Sequence, residues 1–221
     1  MTAHPIRAVI FDVGETIMDD TTFWGSWADW LGVPRHTLDV IVGHVTAEGR
    51  DNADALAVVR PGFNLETEQV AREAAGLGEK ITESDLYPDV RTALATLREA
   101  RWWVGVAGNQ TARAGELLRA LDLPVDAIAT SGEWGVAKPK REFFTRLSAW
   151  CGLPAAQIVY VGDHRDNDVV AARAAGLRTA HLRRGPWGYL HADDPRVIAD
   201  AEWRVSSLAE LATILAAEVA E

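Results

Sequence analysis

The chain has 221 residues, of which 48% are hydrophobic and 24% charged, and its formal net charge at pH 7 is -10. This balance is ordinary for a globular protein, and the negative charge argues against non-specific binding of nucleic acid through a basic face. No apolar run is long enough to span a bilayer, Met1–Arg7 lacks the apolar core of a secretory signal, and Cys151 is the single cysteine, so we expect a cytoplasmic protein.

The first predicted element is a strand over the four apolar residues Ala8-Val9-Ile10-Phe11, which is followed at once by Asp12 and then by Gly14. A run of this kind is typical of a strand that is buried on both faces of a parallel sheet. Ligands of open α/β sheets bind at the carboxyl ends of the strands, where Asp12 would lie. The alternative is that Asp12 only starts a turn or caps the next segment.

Residues 18–88 predict a helical module inserted after this strand. Apolar residues recur at three- and four-residue spacing from Phe23 to Leu31, again after Pro34, and again from Glu66 to Ala75. We expect the tryptophans of the first of these helices to pack within the module, with a role in lining a substrate pocket as the alternative.

From Val90 onward, helical and strand patterns alternate, which predicts right-handed parallel crossovers and a doubly wound sheet. The tract from Arg183 to Arg196 is predicted to be a loop because glycine and proline interrupt it. The predicted strands are Trp102–Ala107, Val125–Thr130, Ile158–Val161, Thr179–Leu182 and Trp203–Val205, and the predicted helices are Val90–Ala100, Ala112–Leu121, Glu142–Trp150 and Leu208–Val219. The fold class is therefore α/β, with a Rossmann-like core formed by residues 1–17 and 89–221.

Charged and polar residues follow four of these strands, where the fold would bring them to one edge of the sheet. They are Asp12, Gly108-Asn109, Lys138-Pro139 and Gly162-Asp163. Carboxylates gathered in one crevice repel each other unless a cation compensates them, and oxygen ligands suit Mg²⁺. A lysine beside them is suited to an anionic group, so the pattern predicts a site that handles phosphate.

In order and spacing, four segments of the chain resemble the motifs of the haloacid dehalogenase superfamily. They are Phe11-Asp12-Val13-Gly14-Glu15-Thr16, Val106-Ala107-Gly108-Asn109, Gly135-Val136-Ala137-Lys138-Pro139, and the segment from Val161 to Asp168. The helical insert falls where that family places a helical cap. The resemblance covers nearly the whole chain and implies the family's α/β core with this cap.

The resemblance implies a hydrolase that uses Asp12 as a nucleophile and forms an aspartyl-phosphate. Lys138 would neutralise charge on the transferring phosphoryl oxygens and restrain the nucleophile, while Gly108 and Asn109 would bind those oxygens.

The same resemblance implies Mg²⁺ as the cofactor. Its ligands would be Asp12, the backbone carbonyl of Gly14 and Asp163, with Asp168 supporting the site through water or hydrogen bonds. Asp166 is expected to be an acidic first-turn or capping residue of the following helix rather than a metal ligand.

Two positions depart from the family's pattern. Gly14 stands where its phosphatases usually carry an aspartate that acts as general acid and then base, and Gly108 stands where a serine or threonine is usual. Glu15, Asp19, Asp20 or a group of the substrate are the candidate replacements for the missing acid.

Three functions are compatible with these residues. The first is a Mg²⁺-dependent phosphatase of a small phosphorylated metabolite, over which the cap closes. One alternative is a catalytically impaired protein that binds a phosphorylated ligand or has a regulatory role, as Gly14 and Gly108 indicate. The other is a metal-free 2-haloacid dehalogenase, against which the pair Asp163 and Asp168 argues. Arg183 and Arg184 are expected to lie in a solvated turn, with binding of a second anionic group as the alternative. Nothing in the sequence distinguishes a monomer from a homodimer.

Overall fold

The first strand occupies the middle of a six-stranded sheet in which every pair of neighbours is parallel, in the order β3-β2-β1-β4-β5-β6. We describe residues 5–218 of the chain from a computed structural model. The strands are β1 (Ala8–Phe11), β2 (Trp103–Gly108), β3 (Ala127–Thr130), β4 (Ile158–Gly162), β5 (Arg178–Leu182) and β6 (Trp203–Val205). The parallel α/β core expected from the sequence is thereby confirmed.

The register of the sheet brings the ends of three strands together. Phe11 at the end of β1 pairs with Val106 of β2 on one side and with Val161 of β4 on the other. All four residues of β1 are buried because strands flank it on both sides and helices cover the sheet. The strand order reverses at β1, because β2 and β3 lie on one side of it and β4, β5 and β6 on the other. The carboxyl ends of β1, β2 and β4 therefore surround the point where such sheets bind ligands.

The chain divides into two compact units. One comprises the residues up to Asp19 together with those from Thr82 onward, and the other comprises Asp20–Ile81. The sequence placed the ends of the insert at residues 18 and 88. Residues 82–88 belong instead to the unit that contains the sheet because Tyr87 N donates to Ile17 O and Asp19 N donates to Asp85 O.

The inserted unit is helical, with its own apolar interior. Its helices are α1 (Thr21–Leu31), α2 (Arg35–Ala47), α3 (Asp54–Val59) and α4 (Leu65–Ala74). Trp27 is 1% exposed and packs with Leu38, Val45 and Leu56, and its ring meets that of Phe63 edge-on. Most of the free energy that stabilises these short helices therefore comes from tertiary burial. The sequence pattern missed α3, which is a six-residue helix.

The remaining helices belong to the unit that contains the sheet. They are α5 (Val90–Glu99), α6 (Ala112–Ala120), α7 (Ser131–Trp134), α8 (Arg141–Cys151), α9 (Ala171–Ala174), α10 (Gly185–His191), α11 (Pro195–Asp200) and α12 (Leu208–Glu218). Phe143 and Phe144 of α8 pack edge-on against Tyr160 of β4, within the apolar layer on one face of the sheet. The predicted end of the last helix, Val219, lies outside the described residues.

The prediction of a loop from Arg183 to Arg196 is wrong, because the tract contains α10 and the start of α11. Pro186 and Pro195 lie in the first turns of these helices, where the missing N–H of proline costs no hydrogen bond. The Asp194 side chain also accepts a hydrogen bond from Arg196 N at the start of α11. Proline in this tract therefore begins helices rather than interrupting structure. Within residues 5–218, no helix combines the length and the apolar character needed to cross a membrane.

Candidate active site

A buried lysine between two aspartates lies at the carboxyl edge of the sheet. Lys138 Nζ is 2.7 Å from Asp12 Oδ1 and 2.6 Å from Asp168 Oδ1, and the Lys138 side chain is 2% exposed. Asp12 directly follows β1, while Asp168 lies in the π-helical turn that follows β4. Asp168 Oδ2 also accepts a hydrogen bond from His164 N, which fixes the orientation of its carboxylate.

Asp163 completes a group of three carboxylates. Oxygen atoms of Asp12, Asp163 and Asp168 all lie within 4.8 Å of one another. Asp163 is 4% exposed, and its Oδ2 is buried with no hydrogen-bond partner among the described residues. A buried carboxylate oxygen without a partner is costly, and an oxygen-binding cation would satisfy it. The donor set therefore fits the Mg²⁺ that the sequence predicts.

The charges at this edge do not balance. Burial raises the pKa of Asp12 to about 6, against the opposing effect of Lys138. Burial and the neighbouring Asp168 and Asp12 raise the pKa of Asp163 well above its ordinary value. Burial disfavours the charged form of Lys138, yet Asp12 and Asp168 together hold its pKa well above the usual value. One ammonium therefore faces three carboxyl groups, and a divalent cation would favour the charged forms that burial disfavours.

Asn109 reaches Lys138 from the end of β2 and contacts its main chain. Asn109 Oδ1 accepts from Lys138 N at 2.8 Å, and Asn109 Nδ2 donates to Lys138 O at 3.0 Å. Tyr160 also contacts Lys138, with the ammonium 5.2 Å from its ring centroid, and its hydroxyl donates to Ala107 O. The sequence predicts Asn109 at the phosphoryl group, whereas it indicates Tyr160 only as part of a buried strand.

Two glycines leave room for the carboxylates. A Cβ at Gly108 would overlap Asp12 Oδ1, and a Cβ at Gly162 would overlap the Asp168 carboxylate. In this chain, the position of the Asp12 carboxylate leaves no room for a serine or threonine side chain at position 108. A hydroxyl-bearing side chain there requires Asp12 to move.

Glu15 is held by an aromatic residue that is distant in sequence. Its backbone is left-handed, with φ 53°, and its Oε2 accepts from Tyr87 OH at 2.5 Å. The Arg184 guanidinium lies 4.0 Å from the Tyr87 ring centroid and donates to Thr16 O. Arg184 is 9% exposed, so it braces the turn after β1 rather than lying in the solvated turn that the sequence predicted. Arg183 is exposed, as expected.

His164 and Asp166 lie at the start of the helical segment that follows β4. His164 Nδ1 accepts from Asp166 N and Asn167 N, and its ring lies 4.2 Å from that of Trp187. The Asp166 carboxylate pairs with Arg165, so it lies outside the cluster of three carboxylates formed by the described residues. Asp166 lies in the first turn of this segment, as expected, and the His164 side chain caps it.

Comparisons with known proteins agree with the geometry. A family model described as haloacid dehalogenase-like hydrolase matches residues 6–176. The glyceraldehyde 3-phosphate phosphatase of Methanopyrus kandleri is 34% identical over 104 residues, which cover 46% of this chain and 45% of that relative. The matched region thus spans less than half the length of this relative.

Solved structures resemble the whole fold. A dehalogenase with an intermediate complex has a TM-score of 0.69 at 20% identity, covering 96% of this chain and 97% of that one. YfnB of Bacillus subtilis, bound to magnesium, has a TM-score of 0.68 at 20% identity, covering 96% of this chain and 99% of that one. At this identity the structures show the fold, while the family model covers well over half of the sequence. The chain belongs to the haloacid dehalogenase-like hydrolase family.

Proposed function

We propose that this protein is a Mg²⁺-dependent phosphatase of a small phosphorylated metabolite, with Asp12 as its nucleophile. The observation that carries the proposal is the buried ion pair of Lys138 with Asp12 and Asp168, placed beside the unpartnered oxygen of Asp163. A cluster with excess negative charge at a ligand-binding sheet edge suits a cation and a bound anion together. The phosphatase name of the Methanopyrus kandleri relative agrees with a small phosphorylated substrate.

The metal would be held by Asp12, Asp163 and the backbone carbonyl of Gly14, with Asp168 supporting the site. When bound, Mg²⁺ supplies positive charge that stabilises the phosphoryl oxygens of the substrate. Lys138 supplies a second positive charge, and it holds Asp12 Oδ1 at 2.7 Å in one orientation.

In the first step, an Asp12 carboxylate oxygen attacks phosphorus and the bond between phosphorus and the ester oxygen breaks. The leaving alkoxide takes a proton from water or from another group of the substrate. In the second step, water attacks the phosphorus of the aspartyl-phosphate, which releases inorganic phosphate and restores Asp12. The sum is hydrolysis of a phosphate monoester to an alcohol and inorganic phosphate.

The backbone at Gly108 and Asn109 would bind the phosphoryl oxygens. Gly108 ends β2 beside Asp12, and the absence of a Cβ lets a phosphoryl group approach the main chain closely. Backbone N–H groups at a strand end are suitable donors to such an anion.

A second candidate is a protein that binds a phosphorylated ligand without turning it over. Gly14 favours it, because glycine has no side chain that can move a proton, and Gly108 contributes no hydroxyl group. General acid–base catalysis is typically worth about 10²–10⁴ in rate, so hydrolysis of alkyl esters would be slow without it.

Hydrolysis of an activated aryl phosphate tests the proposal, because the aryl oxide departs without a proton. We expect Mg²⁺-dependent turnover in the wild type, loss of turnover in Asp12→Asn, and unchanged turnover in Asp193→Asn, an exposed carboxylate used as the control. Phosphate binding without turnover would favour the second candidate. Release of halide from a 2-haloacid in the presence of a chelator would indicate a dehalogenase instead.

A further inference from the structure

We propose that Asn109 is a positioning residue that holds the main chain of Lys138, so that the ammonium stays between Asp12 and Asp168. This inference rests on the proposed function, in which Lys138 acts on the nucleophile. The carboxamide uses both of its ends on one residue, accepting from Lys138 N at 2.8 Å and donating to Lys138 O at 3.0 Å. Two bonds to the same peptide backbone fix both its position and its orientation, as a strand partner would.

The segment that carries Lys138 needs such a support. It lies between α7 and α8 in irregular structure, directly after Gly135, whose left-handed backbone (φ 68°) ends α7. No helix or strand supplies hydrogen-bond partners for the Lys138 backbone there, so the side chain of Asn109, from another loop, supplies them. Because Asn109 is exposed at the surface while the Lys138 side chain is 2% exposed, the support acts from outside the buried cluster.

The loop that carries Asn109 is itself anchored. Gln110 O accepts from Gly132 N at 2.9 Å and from Ser131 Oγ at 3.2 Å, at the start of α7. A Cβ at Gly132 would meet the backbone of this loop at 2.7 Å from Ala112 N, so the two segments are closely packed. Asn109 therefore projects from a fixed frame, which is what a group that positions another residue requires.

The position of Lys138 matters because its ammonium meets two carboxylates at once. It lies 2.7 Å from Asp12 Oδ1 and 2.6 Å from Asp168 Oδ1. A small displacement of the Lys138 backbone would weaken one of these contacts and release Asp12 from its orientation for attack. One hydrogen of Asn109 Nδ2 remains for another partner, so direct binding of a phosphoryl oxygen is the competing role that the experiment has to separate.

The test compares Asn109→Ala and Asn109→Asp with the wild type, and uses Gln157→Ala as a control at the opposite end of β4. The measurements are kcat and KM for an aryl phosphate with Mg²⁺, the inhibition constant of inorganic phosphate, and the hydrogen-exchange rate of the Lys138 amide. We expect kcat of Asn109→Ala to fall about 10- to 100-fold, while KM and the inhibition constant stay within about twofold. The Lys138 amide should exchange about fivefold faster or more, because it loses its acceptor.

Asn109→Asp separates the two roles. Its carboxylate still accepts from the Lys138 amide, so we expect exchange at Lys138 to stay as slow as in the wild type. A marked rise in the phosphate inhibition constant in Asn109→Ala, with unchanged exchange at Lys138, would overturn the inference and assign Asn109 to the phosphoryl group. If the wild type hydrolyses no phosphate ester, the proposed function fails, and the exchange rate of the Lys138 amide still decides whether Asn109 holds that segment.

Discussion

Replacing the buried ammonium of Lys138 by an uncharged side chain of similar length gives the sharpest test of the charge balance in the site. In Lys138→Met, the carboxylates of Asp12 and Asp168 lose the partner that lies 2.7 and 2.6 Å away. The side chains of Asp168 and Lys138 are 1% and 2% exposed, so water compensates little of this loss.

The expected magnitude follows from burial. Removing one partner of a buried ion pair costs about 3–5 kcal/mol, because it leaves an uncompensated buried charge. For a chain of this size, that corresponds to a fall in Tm of about 6–20 °C. The matched control is Lys140→Met, because Lys140 is exposed and has no carboxylate partner among the described residues.

The assay is urea unfolding followed by circular dichroism in the presence of a chelator. We expect the free energy of unfolding of Lys138→Met to be lower than that of the wild type by about 3–5 kcal/mol. That of Lys140→Met should match the wild type within about 0.5 kcal/mol. Adding Mg²⁺ at about 100 times its Kd should return about 2.7 kcal/mol to Lys138→Met if the carboxylates bind the ion. The double variant with Asp12→Asn should be more stable than Lys138→Met, because one fewer carboxylate lacks a partner. A Lys138→Met protein within about 1 kcal/mol of the wild type without metal would refute the reasoning.

Two further outcomes are expected. Gly14→Asp places a carboxyl group where the chain has none, and it should raise kcat for an alkyl phosphate by up to about 10²–10⁴ while changing the rate with an aryl phosphate much less; equal effects on both esters would contradict a proton-transfer role. Burial lowers the pKa of His191 to about 4, so it stays neutral in the folded state while the unfolded state gains a proton below about 6.5. Stability should therefore be lost as the pH falls from about 6.5 to about 4, and His191→Gln should flatten that part of the unfolding curve by up to one proton. If His191→Gln, measured with a chelator present, shows the same dependence of stability on pH as the wild type, His191 is not the group that gains the proton on unfolding.

The sequence by itself predicted the fold class and the edge of the sheet at which the polar side chains of the site gather. The run Ala8–Phe11 has no polar position, so it forms a strand that is buried on both faces, and parallel strands place their carboxyl ends at one edge. Asp12 and Asp163 directly follow strands and were therefore expected at one edge. Lys138 was expected there too, but α7 lies between it and β3, so the tertiary structure decided its position. The glycines at positions 14 and 108 were also readable directly, because they are departures in residue type rather than in geometry.

Tertiary structure decided the contacts that join residues distant along the chain. Asn109 and Lys138 are 29 residues apart, and Glu15 and Tyr87 are 72 residues apart, so no local periodicity relates the members of either pair. Local patterns report which face of an element is buried, whereas these hydrogen bonds depend on how loops from different elements approach each other. Asn109 was expected at the phosphoryl group, and its contact with the main chain of Lys138 is an addition that no local pattern predicted.

The tract after β5 shows that local sequence patterns can also fail to predict secondary structure. Gly185-Pro186 and Asp194-Pro195 read as interruptions, because glycine and proline break most local patterns. Burial of Trp187 and Val197 against the rest of their unit favours helices there, and proline in a first turn does not oppose them. The amino-acid pattern therefore determined where the strands end and which groups meet there, and only long-range packing decided what holds those groups in place.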